Sequence, residues 1–99
     1  MPNYLYTITM NTLIGERYGE LLLDRLQGTF SGSMALLGMQ HPIIGEIQPN
    51  GNGKFYGTLQ TLTHRLPFTA SGKISADQLE FQLTCENKTY AIHGKRKEG

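Results

Sequence analysis

The chain has 99 residues, enough for one domain over residues 1–99 with one modest hydrophobic core. Nine basic and eight acidic side chains give a formal net charge of +1, so no strong field would attract nucleic acid or an anionic membrane. Charged residues make up only 17% of the chain, below the roughly 25% of a typical soluble domain, which suits a protein that associates with itself.

The start of the chain and its cysteine content indicate a compartment. Cys85 is the single cysteine, which excludes an internal disulfide. The first residues lack a basic segment followed by an apolar run, and no apolar stretch approaches the ~20 residues of a membrane span. We therefore expect a cytoplasmic protein without a signal peptide and without membrane contact.

Apolar and polar residues alternate along almost the whole chain, which is the period of a β-strand, whereas helical spacing fits for no more than a turn or two. The connections are short and rich in turn residues. Asn50-Gly51 is a strong turn signal, and a loop over residues 11–17 contains Gly15. The pattern predicts eight strands, over residues 3–11, 18–24, 26–37, 42–48, 54–62, 65–74, 78–86 and 89–96.

Glycines share a strand face with the large apolar residues beside them, as in Phe55, Gly57 and Leu59. Residues two apart point to the same side of a sheet, so these glycines face the core. A glycine inside a strand permits a bend or a close backbone approach. Its repetition in strand after strand indicates a sheet that coils and closes on itself.

Hairpin register offers a test of this interpretation, because one correct register places every large residue on one face. We place four connections, at residues 24–25, 63–64, 75–78 and 87–88. The resulting registers set a ring opposite a glycine in the pairs Gly19 with Phe30, Phe55 with Gly72, Gly72 with Phe81, and Phe81 with Gly94. A ring in this position covers the bare backbone of its cross-strand neighbour.

The predicted fold class is all-β. An antiparallel meander of about eight strands with coiling glycines closes most economically as an up-and-down barrel, which also leaves no exposed sheet edge. A two-sheet β-sandwich is the alternative.

The rhythm of short strands ending in apolar-x-Gly, as in Tyr90-x-Ile92-x-Gly94, resembles the calycin-type barrels of lipocalins and streptavidin-like proteins. It is most similar to small bacterial calycin-like domains without an assigned function. Lipocalins typically carry Gly-x-Trp near the first strand and avidins use several Trp residues around biotin, but this chain has no Trp, so no site residue carries over. The resemblance implies a barrel and a habit of binding small apolar molecules.

The predicted barrel lining is uncharged and rich in aromatic and aliphatic residues, which favours an apolar ligand. Eight strands enclose an interior that side chains fill or that holds one small ligand. The candidate ligand-binding residues are Tyr4, Tyr6, Met34, Phe55, Thr61, Phe68, Phe81, Cys85 and Tyr90. We expect a non-enzymatic barrel that binds a small apolar ligand. The alternative is a packed barrel acting as a protein-interaction or homo-oligomerisation module.

Side chains that could carry catalysis or bind a metal form no pattern. His41, His64 and His93 are predicted at the surface, in a loop, a turn and an outer strand face, without metal-ligand spacing. Cys85 is predicted to point inward and His93 outward, which separates a thiol from its possible base. We therefore predict no catalytic residue, no metal and no cofactor.

The outer face is the remaining candidate surface. Apolar residues there would mark an oligomer interface if they cluster. They are Leu5, Leu22, Leu37, Ile44, Tyr56 and Leu62.

Overall fold

The computed structural model describes residues 4–36, 38–60, 63 and 65–97, and within them the chain forms eight antiparallel strands and no helix. Each strand pairs with the next, and β8 pairs with β1, which closes an up-and-down barrel. The predicted fold class is therefore confirmed over the two-sheet sandwich. The strands are β1 Tyr4–Thr12, β2 Gly15–Leu23, β3 Gly28–Leu36, β4 Met39–Ile47, β5 Asn52–Gln60, β6 Arg65–Ile74, β7 Gln78–Cys85 and β8 Lys88–Arg96.

The first hairpin differs from the predicted loop over residues 11–17. Pairing of β1 with β2 continues to Thr12 opposite Gly15, so only Leu13 and Ile14 form the tip. The Thr12 hydroxyl donates to the Gly15 carbonyl at 2.6 Å, and Gly15 has a φ of 120° that favours glycine. The hairpin therefore ends in two adjacent aliphatic side chains.

Two predicted registers are wrong by two residues. The turn between β7 and β8 occupies Glu86 and Asn87, both at positive φ as a two-residue hairpin turn requires, so Leu83 pairs with Tyr90 instead of Ile92. In β5 and β6, Leu59 pairs with Leu66 instead of Phe68. Because the side-chain period of a strand is two, both shifts leave the inward face unchanged.

The connection after β2 departs further from prediction. Leu23 pairs with Gly32 instead of Leu26, because the chain leaves β2 at Asp24 and β3 pairs with β2 only from Gly32 onward. The Asp24 carboxylate caps this connection by accepting from the backbone N–H and the hydroxyl of Ser31. The predicted loop over 75–78 is correct, since Ile74 pairs with Leu79.

Phenylalanine rings do lie opposite glycines, although only one predicted pair, Gly72 with Phe81, is confirmed. The pairs in the structure are Phe30 with Gly45, Gly45 with Phe55, Gly57 with Phe68, and Gly72 with Phe81. The Phe55 ring meets the Phe68 ring edge-on, with centroids 6.0 Å apart, and lies 5.0 Å from the Phe81 ring. These three rings therefore form a cluster within the core, with Phe55 between the other two.

Glycine is required where neighbouring strands approach each other most closely. A Cβ built on Gly72 would overlap the carbonyl oxygen of Glu80 on the adjacent strand. A Cβ built on Gly19, Gly32 or Gly45 would likewise overlap a carbonyl oxygen of the adjacent strand. At Gly57 the obstacle is the Phe68 ring, whose Cζ would lie 2.8 Å from the added carbon. Close approach of this kind is how a coiled sheet is drawn into a small barrel.

His41 corrects the prediction of a surface loop histidine. It lies in β4 with only 2% of its surface exposed, and its Nε2 is 3.3 Å from the Leu36 carbonyl oxygen. Strand β4 begins at Met39, so residue 41 shares the inward face with Ile43. His93 lies exposed in β8, as predicted, and His64 lies outside the described residues.

Hydrogen bonds tie Tyr6 and the end of β8 to the connection between β6 and β7. The buried Tyr6 hydroxyl donates to the Ser75 carbonyl at 2.6 Å, and the Arg96 backbone N–H donates to the Asp77 carbonyl. The Arg96 guanidinium also lies 4.8 Å from the centre of the Tyr4 ring. Burial raises the pKa of Tyr6 to about 12.

Replacing Gly72 by Ala should destabilise the barrel by at least ~3 kcal/mol, because the new methyl would force β6 away from β7. Gly53, the cross-strand partner of Gly72, provides the matched control, since its added Cβ would meet nothing closer than 3.4 Å. Gly53→Ala should change stability by less than ~1 kcal/mol. Urea unfolding measures both, and equal losses would contradict the close-approach explanation.

Tyr6→Phe should cost about 1 kcal/mol at pH 7, because it removes the hydrogen bond to Ser75. Above pH 10 the unfolded tyrosine ionises while the folded one stays neutral up to about pH 12, so the wild type binds more protons when folded and loses stability as pH rises. The phenylalanine variant lacks this loss. The stability gap should therefore close and then reverse between pH 10 and 12 in urea unfolding, because a pKa rise of about two units corresponds to about 2.7 kcal/mol. A constant gap would contradict this explanation.

Candidate functional site

The two ends of the barrel differ in chemistry. In an up-and-down barrel the odd-numbered strands all end on one side, so the tip formed by Leu13 and Ile14 and the turn at Glu86 and Asn87 lie at the same end. An open depression of about 520 Å³ lies at this end. We call it the mouth; it is lined by Met10, Thr12, Leu13, Ile14, Arg17, Leu59, Leu66, Cys85, Glu86, Lys88 and Tyr90.

The floor of the mouth is the top of the hydrophobic core. Met10, Leu59 and Cys85 are buried members of the core cluster, and Leu66 and Tyr90 pack against it while remaining partly exposed. These residues occupy inward positions at the ends of their strands, where the alternating pattern leaves an apolar side chain without another layer above it. The floor is therefore apolar.

Two aliphatic residues stand beside this floor. Leu13 is 96% exposed and Ile14 is 79% exposed, more than any other large apolar residue among the described ones. Neither contributes to the core, so their apolar character gives the fold no stability. Together with the floor, they form an exposed apolar patch at this end of the barrel.

Charged side chains complete the rim. Arg17, Glu86 and Lys88 border the mouth, and within the described part of the chain none of them forms an ion pair or a side-chain hydrogen bond. Burial raises the pKa of the Cys85 thiol, and the neighbouring Glu86 carboxylate adds to this shift. The thiol therefore stays protonated at neutral pH and behaves as a small apolar group.

The candidate ligand-binding residues fall into separate groups. Cys85 and Tyr90 reach the mouth. Tyr4 lies at the opposite end, where it lines another depression of about 630 Å³, and Thr61 lies outside the described residues. The remaining five are buried in the core: Tyr6, Met34, Phe55, Phe68 and Phe81. Contact of any of them with a ligand stays a prediction.

Sequence reasoning missed Leu13 and Ile14, because both fall in the loop expected over residues 11–17. Two adjacent large aliphatic residues in a turn were the available signal, since turns otherwise favour Gly, Asn, Asp, Ser and Pro.

Among the described residues, the two side chains weighed as a nucleophile and its base point to different faces of the sheet. Cys85 faces inward and His93 is exposed on the outer face, opposite Glu80. Among residues 4–36, 38–60, 63 and 65–97, no three His, Cys, Asp or Glu side chains lie close enough to hold a metal ion.

The chain matches no protein-family model, no curated protein and no solved structure. Its closed eight-stranded antiparallel barrel agrees with the calycin-type architecture at the level of strand number and connectivity. No described helix has the length and apolar character needed to cross a membrane.

Cys85 should react with 5,5′-dithiobis(2-nitrobenzoic acid) at pH 8 at least tenfold more slowly than it does in the urea-unfolded chain, because burial both shields the thiol and raises its pKa. Glu86→Asn removes the neighbouring charge and suits the positive φ of the turn, so it should raise the rate by less than about threefold. Equal rates in the folded and unfolded chains would contradict this account.

Proposed function

We propose that this barrel is a non-enzymatic binding protein for a small apolar molecule that occupies the mouth. The observation that carries the proposal is the juxtaposition of a buried apolar floor with the exposed Leu13 and Ile14. A ligand resting on the floor would cover both side chains. The proposal places the protein with the calycin-type binding domains that its strand rhythm resembles.

The size and energetics of the mouth suit such a ligand. Its volume of about 520 Å³ falls within the roughly 300–1,000 Å³ of small-molecule sites. Burying an exposed leucine or isoleucine side chain is worth about 1.5–3 kcal/mol when it becomes complete. Complete burial of both Leu13 and Ile14 would favour binding by about 3–6 kcal/mol before the cost of association is subtracted.

The proposed position is the end of the barrel and not its centre. The Phe55 ring lies against the Phe68 and Phe81 rings in the interior. A ligand at the mouth would meet Cys85 and Tyr90 from the predicted lining, and the Tyr90 hydroxyl can orient a polar atom of the ligand.

The chemistry of the rim supports binding over catalysis. A nucleophile needs a base within hydrogen-bond distance, and the Cys85 thiol has a raised pKa and no such partner among the described residues. The apolar floor favours transfer of an apolar molecule from water.

The double variant Leu13→Ser, Ile14→Ser should weaken binding of the neutral dye Nile red at least tenfold, because it removes the apolar side of the mouth. Both residues are exposed, so the thermal unfolding temperature should change little. Fluorescence titration at low micromolar protein measures the affinity.

Ile44→Ser is the matched control, since Ile44 is 62% exposed on the outer face and does not line the mouth. It should leave dye affinity unchanged. A wild type that binds neither Nile red nor other neutral apolar compounds, or equal affinities in all three proteins, would refute the proposal.

A further inference from the structure

Exposed apolar residues also pair on the outer face, away from the mouth. Ile44 in β4 is 62% exposed and Tyr56 in β5 is 47% exposed, and the two residues are cross-strand partners. Of the other apolar residues predicted on the outer face, Leu5 and Leu22 are half-buried, whereas Leu37 and Leu62 lie outside the described residues.

The next outer pair along these strands is charged. Glu46 pairs with Lys54, and both side chains are exposed. Cross-strand neighbours of opposite charge commonly attract each other. Here the described side chains form no ion pair with each other, so both charges remain open to an outside partner.

The strands beside this pair carry uncharged side chains at the same level. Ser31 pairs with Ile44 on one side, and Thr69 pairs with Tyr56 on the other. Pro42 lies two residues before Ile44 and Thr58 two residues after Tyr56, and both are exposed on the same outer face. The β4–β5 face, defined here by Pro42, Ile44, Glu46, Lys54, Tyr56 and Thr58, is thus apolar and uncharged except for one acid and one base.

We propose that the β4–β5 face binds a second copy of this chain about a two-fold axis that runs parallel to the strands, between β4 and β5. Such an axis exchanges the two strands without changing height along them. It therefore sets Ile44 against the partner's Tyr56, and Glu46 against the partner's Lys54. Each contact occurs twice, as in any two-fold interface.

The cross-strand register is what makes this face complementary to itself. Members of one pair, Ile44 with Tyr56 or Glu46 with Lys54, lie at equal height and differ in chemistry. Rotation about the axis thus brings a ring onto an aliphatic side chain and an acid onto a base. Aligned sheets pack face to face in this way, within about 30°.

The shape of the barrel predicts the strength of the contact. A closed barrel offers no free edge for strand addition, so another copy can meet it only through a face or an end. A convex face touches its partner along two strands, which gives a small interface of the transient class. We therefore expect a weak dimer that assembles as protein concentration rises.

Charge reversal tests this arrangement by sedimentation equilibrium up to about 1 mM protein at low salt. In Glu46→Lys, the new lysine of each copy faces Lys54 of the other. In Lys54→Glu, the new glutamate of each copy faces Glu46 of the other. Each variant should therefore dimerise at least tenfold more weakly. The double variant Glu46→Lys, Lys54→Glu restores both contacts and should dimerise like the wild type. An equimolar mixture of the two single variants should form a heterodimer.

Glu80→Lys is the matched control. Glu80 pairs with Lys73 across β6 and β7, so this variant creates the same lysine–lysine neighbour within one chain but outside the β4–β5 face. It should dimerise like the wild type. Thermal unfolding confirms that each variant is folded, and the double variant keeps an opposite-charge pair within the chain.

A wild type that stays monomeric up to about 1 mM would overturn the proposal. So would a dimer that tolerates Glu46→Lys, a double variant that fails to recover, or an equal loss in Glu80→Lys. Dye binding at the mouth is measured separately at low micromolar protein, so the failure of one proposal leaves the other standing.

Discussion

The closest approach between neighbouring strands is the constraint on which the rest of this structure depends. At Gly72 the space for a side chain is taken by the Glu80 carbonyl. At Gly19, Gly32 and Gly45 it is taken by another carbonyl of the adjacent strand. Only a residue without Cβ allows these backbones to come together. The approach draws a twisted sheet into a barrel of eight strands, in which phenylalanines lie opposite Gly45, Gly57 and Gly72.

The rings packed in the interior are the reason to propose a ligand at an end of the barrel and not at its centre. Phe55 contacts Phe68 and Phe81 in the interior. A wider barrel can hold a ligand at this position. At one end Tyr6 is hydrogen-bonded to Ser75. At the other the inward positions end in apolar residues, and the β1–β2 tip leaves Leu13 and Ile14 in water. The exposure of Leu13 and Ile14 beside an apolar depression is the reason to propose ligand binding at the mouth.

Closure also limits how the protein can meet another copy. A barrel has no unpaired edge, so association must use a face or an end. The β4–β5 face combines an exposed Ile44–Tyr56 pair with a Glu46–Lys54 pair that forms no ion pair within its own chain. The low content of charged residues suggested self-association, and the proposed interface assigns that association to this face. The proposed interface and the mouth use different residues, so the two functions are compatible.

The sequence by itself determined the strand content and the inward face of each strand, because period-two alternation is a local property of the chain. The inward glycines favoured a closed barrel over a two-sheet sandwich, and the pairing of β8 with β1 decided it. The sequence also placed Cys85 inward and His93 outward, and both directions survived registers that were wrong by two residues. Only the tertiary structure decided the register of β2 with β3, the burial of His41 and the exposure of Leu13 and Ile14. These depend on where each turn begins and on which strand arrives alongside, and residue alternation carries no information about either.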